Sequence, residues 1–244
     1  MMSISTRTSH FLADPPPLPF EAVRELQEFF SDNPEKIGQS CHQQRYAAGE
    51  EIVRYHDKSN SVFFILEGTI RIHYYALSGD EVILCDLPAG EMFGELTAID
   101  GLPRSAAAVA KTNALLASMS GKAFLELIHA SPDFCTEILK RLAGQVRRLT
   151  ERVYDHTLCV RHRIHVELLR LAKIHMVSAN SAVINPVPTH AELACFISTH
   201  REAVTRELND LTRDGLIQRN GHTLGVPDVA KLENMVNKIR GAAA

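Results

Sequence analysis

The sequence predicts an α+β chain in three parts: a small antiparallel β-barrel or roll, a long helix, and a compact helical unit closed by a hairpin. Three observations carry this. Short apolar runs at residues 62–66, 69–72 and 81–84 are separated by the turn segments Glu67-Gly68 and Ser78-Gly79-Asp80, which favours a closed antiparallel architecture with protected edges. Apolar residues then repeat in steps of three and four from Leu139 to Val160. Two helix-start signatures follow, at Thr189 and Thr199, ahead of the hairpin dipeptide Asn220-Gly221.

Taken in order, residues 1–19 read as a flexible, polar lead-in that ends in the stiff run Pro15-Pro16-Pro17-Leu18-Pro19. Residues 20–30 predict a short amphipathic helix, with Phe20, Val23, Leu26, Phe29 and Phe30 near one side. Strands begin at about Gln44, and Ala89-Gly90, Gly94 and Gly101 punctuate the later ones, so residues 20–131 form one unit. Pro132 suits the first turn of a long helix over 132–160. Its residues Leu139, Leu142, Val146, Leu149, Val153, His156 and Val160 make a heptad seam that only His156 interrupts, while Lys140, Arg141, Arg147 and Arg148 fall away from it. A helix lying on its own barrel would also carry an apolar stripe. One this narrow and continuous suits a partner helix better, so a homodimer is expected. Residues 161–228 make a second unit, with an amphipathic helix at 163–175 through Ile164, Leu168 and Leu171 and a weakly structured stretch at 178–188. Residues 229–244 supply a terminal helix, ending before Gly241, and a tail.

Composition narrows the function. A formal net charge of -3 over 244 residues excludes a wholly cationic nucleic-acid binder, but a dimer can still concentrate positive charge at one end. An apolar fraction of 45% argues against disorder. Cys41, Cys85, Cys135, Cys159 and Cys195 are odd in number and far apart, with no zinc-knuckle or CxxC spacing, so they read as free thiols of a cytoplasmic protein. The N-terminus lacks an apolar signal region, and no later stretch is long enough to cross a bilayer. No nucleophile–base pair or metal motif stands out, which leaves an enzyme as a distant alternative.

The most informative segment lies near the end. Thr189-His190-Ala191-Glu192 and Thr199-His200-Arg201-Glu202 both read as capping boxes. The first helix offers Leu193, Ala194, Phe196 and Ile197 for packing, and the second turns Val204, Leu208 and Leu211 inward. This is helix-turn-helix spacing, in which the second helix enters the DNA major groove. Arg201, Glu202, Thr205 and Arg206 then project outward. Arginine can bond guanine O6 and N7 bidentately, and glutamate can accept from cytosine N4. Thr199, His200 and Arg213 are candidates for contacts to the phosphate backbone. Residues 216–219 and 222–226 flank Asn220-Gly221 as a wing. A solvated charged helix face is the plainer account, but caps, inward spacing, base-reading residues and wing together favour DNA.

Upstream, Phe93-Gly94-Glu95-Leu96 and Arg104-Ser105-Ala106 add a second constellation. In order and spacing with residues 201–206 and with Asp214-Gly215-Leu216-Ile217, it resembles the cyclic AMP receptor protein and FNR (Crp-Fnr) family of bacterial transcription regulators, over about residues 44–226. The resemblance implies a cyclic-nucleotide-binding double-stranded β-roll of jelly-roll type, a dimerisation helix, a C-terminal winged helix-turn-helix, and RNA polymerase as a partner. It gives Glu95 the ribose 2′-hydroxyl and Arg104 with Ser105 the cyclic phosphate, with the backbone around Gly94 and Leu96 assisting. It also makes Arg201, Glu202 and Arg206 a base-reading triad for half-sites like TGTGA. The chemistry agrees: an arginine fork matches one phosphate charge, and a carboxylate beside that anion needs a hydroxyl partner. An internal Glu95–Arg104 salt bridge in an effector-independent roll is the alternative.

The sequence departs from the family pattern in two places. Ser198 stands in the turn where many relatives have glycine, and serine tolerates positive φ poorly. The adjacent threonine-serine pair that faces adenine in the receptor is missing from residues 149–153, which leaves Thr150 or Arg152 to meet the purine. Cyclic AMP is the favoured effector and cyclic GMP the alternative. Only Cys41 lies where iron–sulfur members carry a cysteine cluster, and His56 or His73 would be a lone haem ligand, so no metal, iron–sulfur cluster or haem is expected. Ligand-driven repacking around Leu149 and Val153 would rotate the C-terminal unit about a hinge at 156–160.

Overall fold

The computed structural model describes residues 41–75, 79, 81–239 and 241; the expected lead-in and the helix at 20–30 lie outside them. Two four-stranded antiparallel sheets build the first unit. One orders β1 (Cys41–Tyr46), β8 (Ala114–Met119), β3 (Val62–Glu67) and β6 (Met92–Phe93). The other orders β2 (Glu51–Val53), β7 (Ala107–Ala110), β4 (Thr69–Tyr75) and β5 (Glu81–Pro88). Strand β3 explains why its sequence is an unbroken apolar run. Phe63 and Ile65 face a core between the sheets with Val53, Ile70 and Leu116, while Val62 and Phe64 face a second core on the other side. Helices α1 (Glu95–Asp100) and α2 (Gly121–Ala130) cover that second core, where Phe124 is fully buried.

Helix α3 (Pro132–His156) starts as the sequence predicts: Ser131 accepts from the Phe134 amide and Pro132 occupies the first turn. Its end differs. The helix stops at His156, and Val160 opens α4 (Val160–Ile174), where it packs on the C-terminal core. The continuous seam therefore loses its last member. Leu142 also turns partly onto the roll, whereas Leu139, Val146, Leu149 and Val153 are each between 54% and 69% exposed.

The second unit packs α4, α5 (His190–Ile197), α6 (Arg201–Arg213) and α7 (Val229–Ile239) around Leu168, Leu193, Val204, Leu208 and Leu232. The stretch read as weakly structured contains a strand, β9 (Ala182–Ile184), which pairs with β11 (Thr223–Val226) of the wing. Three residues between Ser181 and Asn185-Pro186 are too short to show a period, so only pairing reveals them. In the hairpin of β10 (Gln218–Asn220) and β11, Asn220 pairs with Thr223, so Gly221 and His222 form the two-residue loop, one position beyond the expected dipeptide. No helix among the described residues is long and apolar enough to cross a membrane.

The two units touch. Arg71 of β4 binds Asp86 of β5 through Nε and Nη2 at 2.8 and 3.0 Å, and its Nη2 also reaches Glu192 of α5 at 2.8 Å. Lys111 adds a 2.6 Å bond to Asp86, and Phe196 lies beneath the Arg71 guanidinium.

Candidate functional site

Two constellations stand out, one in each unit. In the roll, Gly94 links β6 to α1 at φ +86, a left-handed conformation that glycine adopts without penalty. The space is equally restricted: a Cβ there would lie 2.5 Å from Arg104 Nη1 and 2.8 Å from the Ser61 oxygen. The turn buries the first helical residue, Glu95, at 4% exposure and brings it near Arg104 at 2%.

Neither charge is spent on the other, and no Glu95–Arg104 ion pair forms among the described residues. Arg104 donates from Nε to Ser59 Oγ at 3.2 Å, from Nη1 to Gly94 O at 2.9 Å, and from Nη2 to Ser61 O at 2.7 Å. Gln145 of α3 donates to Glu95 Oε1 at 3.2 Å. Burial lowers the Arg104 pKa, against the pull of Asp57 and Glu95. The salt-bridge alternative is thus not what this chain builds. Ser105 and Leu96 are exposed beside the site, and Thr150 is exposed on α3 with its hydroxyl donating to Val146 O at 2.9 Å.

Arg152 does not join them. Its guanidinium bonds the carbonyls of Leu84, of Ile83 at 3.2 Å and of Phe196 at 3.3 Å, so it ties β5 to α5 instead of meeting a purine. Its donors find fixed carbonyl acceptors across the gap between units, which no local spacing discloses. Gln145, Ser59 and Ser61 were also missed by sequence reasoning, since each belongs to a segment distant in the chain.

In the second unit, the first capping box forms in full: Thr189 Oγ1 accepts from the Glu192 amide at 3.1 Å, and Glu192 Oε2 accepts from the Thr189 amide at 2.9 Å. The second does not. Helix α6 starts at Arg201 with His200 as its N-cap and no side-chain cap bond, so Glu202 is one position too early to reach back. Ser198 occupies the left-handed region at φ 51, and the Thr199 amide closes on Ala194 O at 3.0 Å. Arg201, Glu202, Arg206 and His200 are exposed along one side of the helix, with Thr205 and Thr199 partly covered. Arg213 is exposed and pairs with Asp210 at 2.8 Å. On the inner face, Glu207 is buried and holds His165 Nε2 at 2.6 Å and Arg161 Nε at 3.0 Å. Burial lowers the His165 pKa and Glu207 opposes it. Adjacent to Arg206, Glu207 reads in the sequence as one more surface charge.

No three His, Cys, Asp or Glu side chains among the described residues converge as metal ligands. Comparison with known proteins gives the arrangement its context. The family described as "Cyclic nucleotide-binding domain" matches residues 43–131, and the "Crp-like helix-turn-helix domain" matches residues 162–235. The cAMP-activated global transcriptional regulator CRP of Salmonella typhimurium is 29% identical over 188 residues, 76% of this chain and 90% of that protein. Among solved structures, a CooA mutant from Carboxydothermus hydrogenoformans superposes with a TM-score of 0.72 at 21% identity, over 83% of this chain and 90% of that one. The c-di-GMP-responsive global regulator CLP of Xanthomonas campestris does so at 0.67 and 21%, over 80% and 98%. With both domains present in this order on this fold, the chain belongs to the Crp-Fnr family of transcription regulators, proteins that bind DNA and act as dimers.

Proposed function

We propose that this chain is a homodimeric, cytoplasmic regulator that binds a TGTGA-like palindrome under the control of a cyclic mononucleotide, cyclic AMP before cyclic GMP. The observation that carries it is the pair of buried, oppositely charged side chains Glu95 and Arg104, each held by neutral partners. Buried charge is costly unless matched. A ribose hydroxyl at Glu95 and a cyclic phosphate at Arg104 and Ser105 would match both, with Gly94, Leu96 and Thr150 as further lining. Arg201, Glu202 and Arg206 read bases with Thr205 on the same face, while Thr199, His200 and Arg213 meet the backbone. The dimer forms through the exposed stripe Leu139, Val146, Leu149 and Val153 with His156 at its end, and RNA polymerase is the downstream partner. The function is binding, without catalytic turnover.

A second reading has its own support. Arg104 already has three acceptors, which suits a roll that is structural or answers another effector. Fluorescence anisotropy on a labelled TGTGA palindrome separates the two at one fixed salt concentration. Tightening with cyclic AMP or cyclic GMP alone identifies the effector, and its loss in Glu95→Ala or Arg104→Ala supports the site. Tight binding unchanged by either nucleotide supports the second reading.

A further inference from the structure

Three elements of the C-terminal unit send side chains to one point beside α6. His190, first residue of α5, places Nδ1 2.7 Å from Thr205 Oγ1 of α6, and Arg219 Nη2 of β10 bonds its Nε2. These partners fix the state of the ring. Arginine only donates, so Nε2 accepts. The single Thr205 hydroxyl proton goes to Arg201 O at 3.0 Å, so Oγ1 accepts from Nδ1–H. The imidazole is therefore neutral and in its Nδ1–H form.

The charged groups facing it are Arg219 from β10 and Arg201 from α6. Burial first, then these two cations, hold the His190 pKa below its ordinary 6.5, and no carboxylate counters them among the described residues. On its own helix, Glu192 is turned to Thr189 and Arg71. Arg219 and the protonatable His190 thus converge next to the exposed Arg201, with nothing negative among them.

We infer that His190 and Arg219 form a proton-gated clamp for the DNA sugar–phosphate backbone flanking the base-reading face of α6. The inference rests on the DNA-reading assignment above. A phosphate placed between the two side chains offsets the repulsion that a protonated His190 would meet from Arg219. His190 then takes one proton from the buffer at Nε2, the Arg219–His190 bond is lost because both now donate, and both donate to phosphate oxygens. One proton is bound per His190 on complex formation, and no covalent bond changes. The pH dependence follows in sign. DNA raises the His190 pKa, so affinity gains appear as pH falls through the bound-state value and are complete below the free-state value.

The test uses the full chain with cyclic AMP, at constant low ionic strength, on a labelled TGTGA palindrome and on a mixed-sequence duplex that reports phosphate binding whatever the operator. Anisotropy titrations across neutral to mildly acidic pH compare wild type, His190→Gln and Arg206→Ala. Wild-type affinity is expected to rise on acidification by about tenfold for each His190 per unit of pKa that DNA adds, and so by about a hundredfold for a dimer on the palindrome. His190→Gln should lose that pH-dependent component. Nitrogen-15 NMR of the free protein should show His190 as the Nδ1–H tautomer. Equal pH slopes in wild type and His190→Gln, or an Nε2–H tautomer, would overturn the clamp. Arg206→Ala weakening the palindrome at every pH keeps the reading assignment intact in that case. Unchanged palindrome affinity in Arg206→Ala would instead overturn the reading assignment, and the clamp with it.

Discussion

Gly94 and Ser198 share a left-handed backbone, yet substitution at the two positions should have opposite effects. At Gly94 a methyl group meets Arg104 and the Ser61 carbonyl. Gly94→Ala is expected to cost about 1–3 kcal/mol in denaturant unfolding and to abolish nucleotide binding by calorimetry. At Ser198, an L-residue at φ 51 carries a penalty of roughly 1–2 kcal/mol, and glycine's added unfolded-state freedom returns about 0.4–1 of it. Ser198→Gly should therefore stabilise the protein, on the order of 0.5–1 kcal/mol, seen as a higher unfolding midpoint. The sequence flagged both positions. What it did not disclose was the neighbour at each, because Arg104 and Ser61 approach Gly94 through the fold and not along the chain.

Helix ends and helix faces make the next set of predictions. Thr189 caps α5 and Thr199 caps nothing, although their sequence contexts look alike. Thr189→Ala should cost about 1 kcal/mol in chemical denaturation, whereas Thr199→Ala should stay within roughly 0.5. Equal losses would mean that α6 begins one residue earlier than described. On α3, the exposed Leu149 and Val153 would each contribute on the order of 1.5–3 kcal/mol if fully covered by a partner helix. Replacing both with glutamate should yield monomers in sedimentation velocity; a persisting dimer would move the interface elsewhere. The helical period was legible in the sequence. The stop at His156 was not, since apolar Val160 keeps the spacing while belonging to the next helix's core.

Across the whole molecule, the roll and the DNA-reading unit meet through a charge network that has no counterpart in local sequence. Glu192 serves twice, as the capping carboxylate of α5 and as a partner of Arg71. Burial alone would raise the Asp86 and Glu192 pKa values. Arg71 and Lys111 outweigh it at Asp86, and the Thr189 amide with Arg71 outweighs it at Glu192, so both lie below their ordinary 3.8 and 4.5. A depressed carboxylate stabilises the contact fully above those ordinary values and releases it as pH falls through the lowered ones. Amide exchange in α5 should accordingly accelerate only under strong acid in wild type, and already at neutral pH in Arg71→Gln. That variant removes charge-assisted bonds worth about 1.5–3 kcal/mol. Exchange unchanged by Arg71→Gln would show that Arg152 and Phe196 suffice to hold the units together.

The architecture and the outward face of α6 followed from local rules, because helical and strand periods, caps and turn dipeptides act between residues a few positions apart. The 94–96 and 104–105 segments drew attention to Glu95 and Arg104 through a family resemblance, and the fold buries both. Only the tertiary structure decided which charges met. It kept Glu95 and Arg104 apart on neutral partners, sent Arg152 to the boundary between units, gave Glu192 a second role and joined His190 to Arg219. These pairings connect residues from tens to more than a hundred positions apart, and a side chain's partner at that range is chosen by how cores pack and sheets register, which no window of sequence contains.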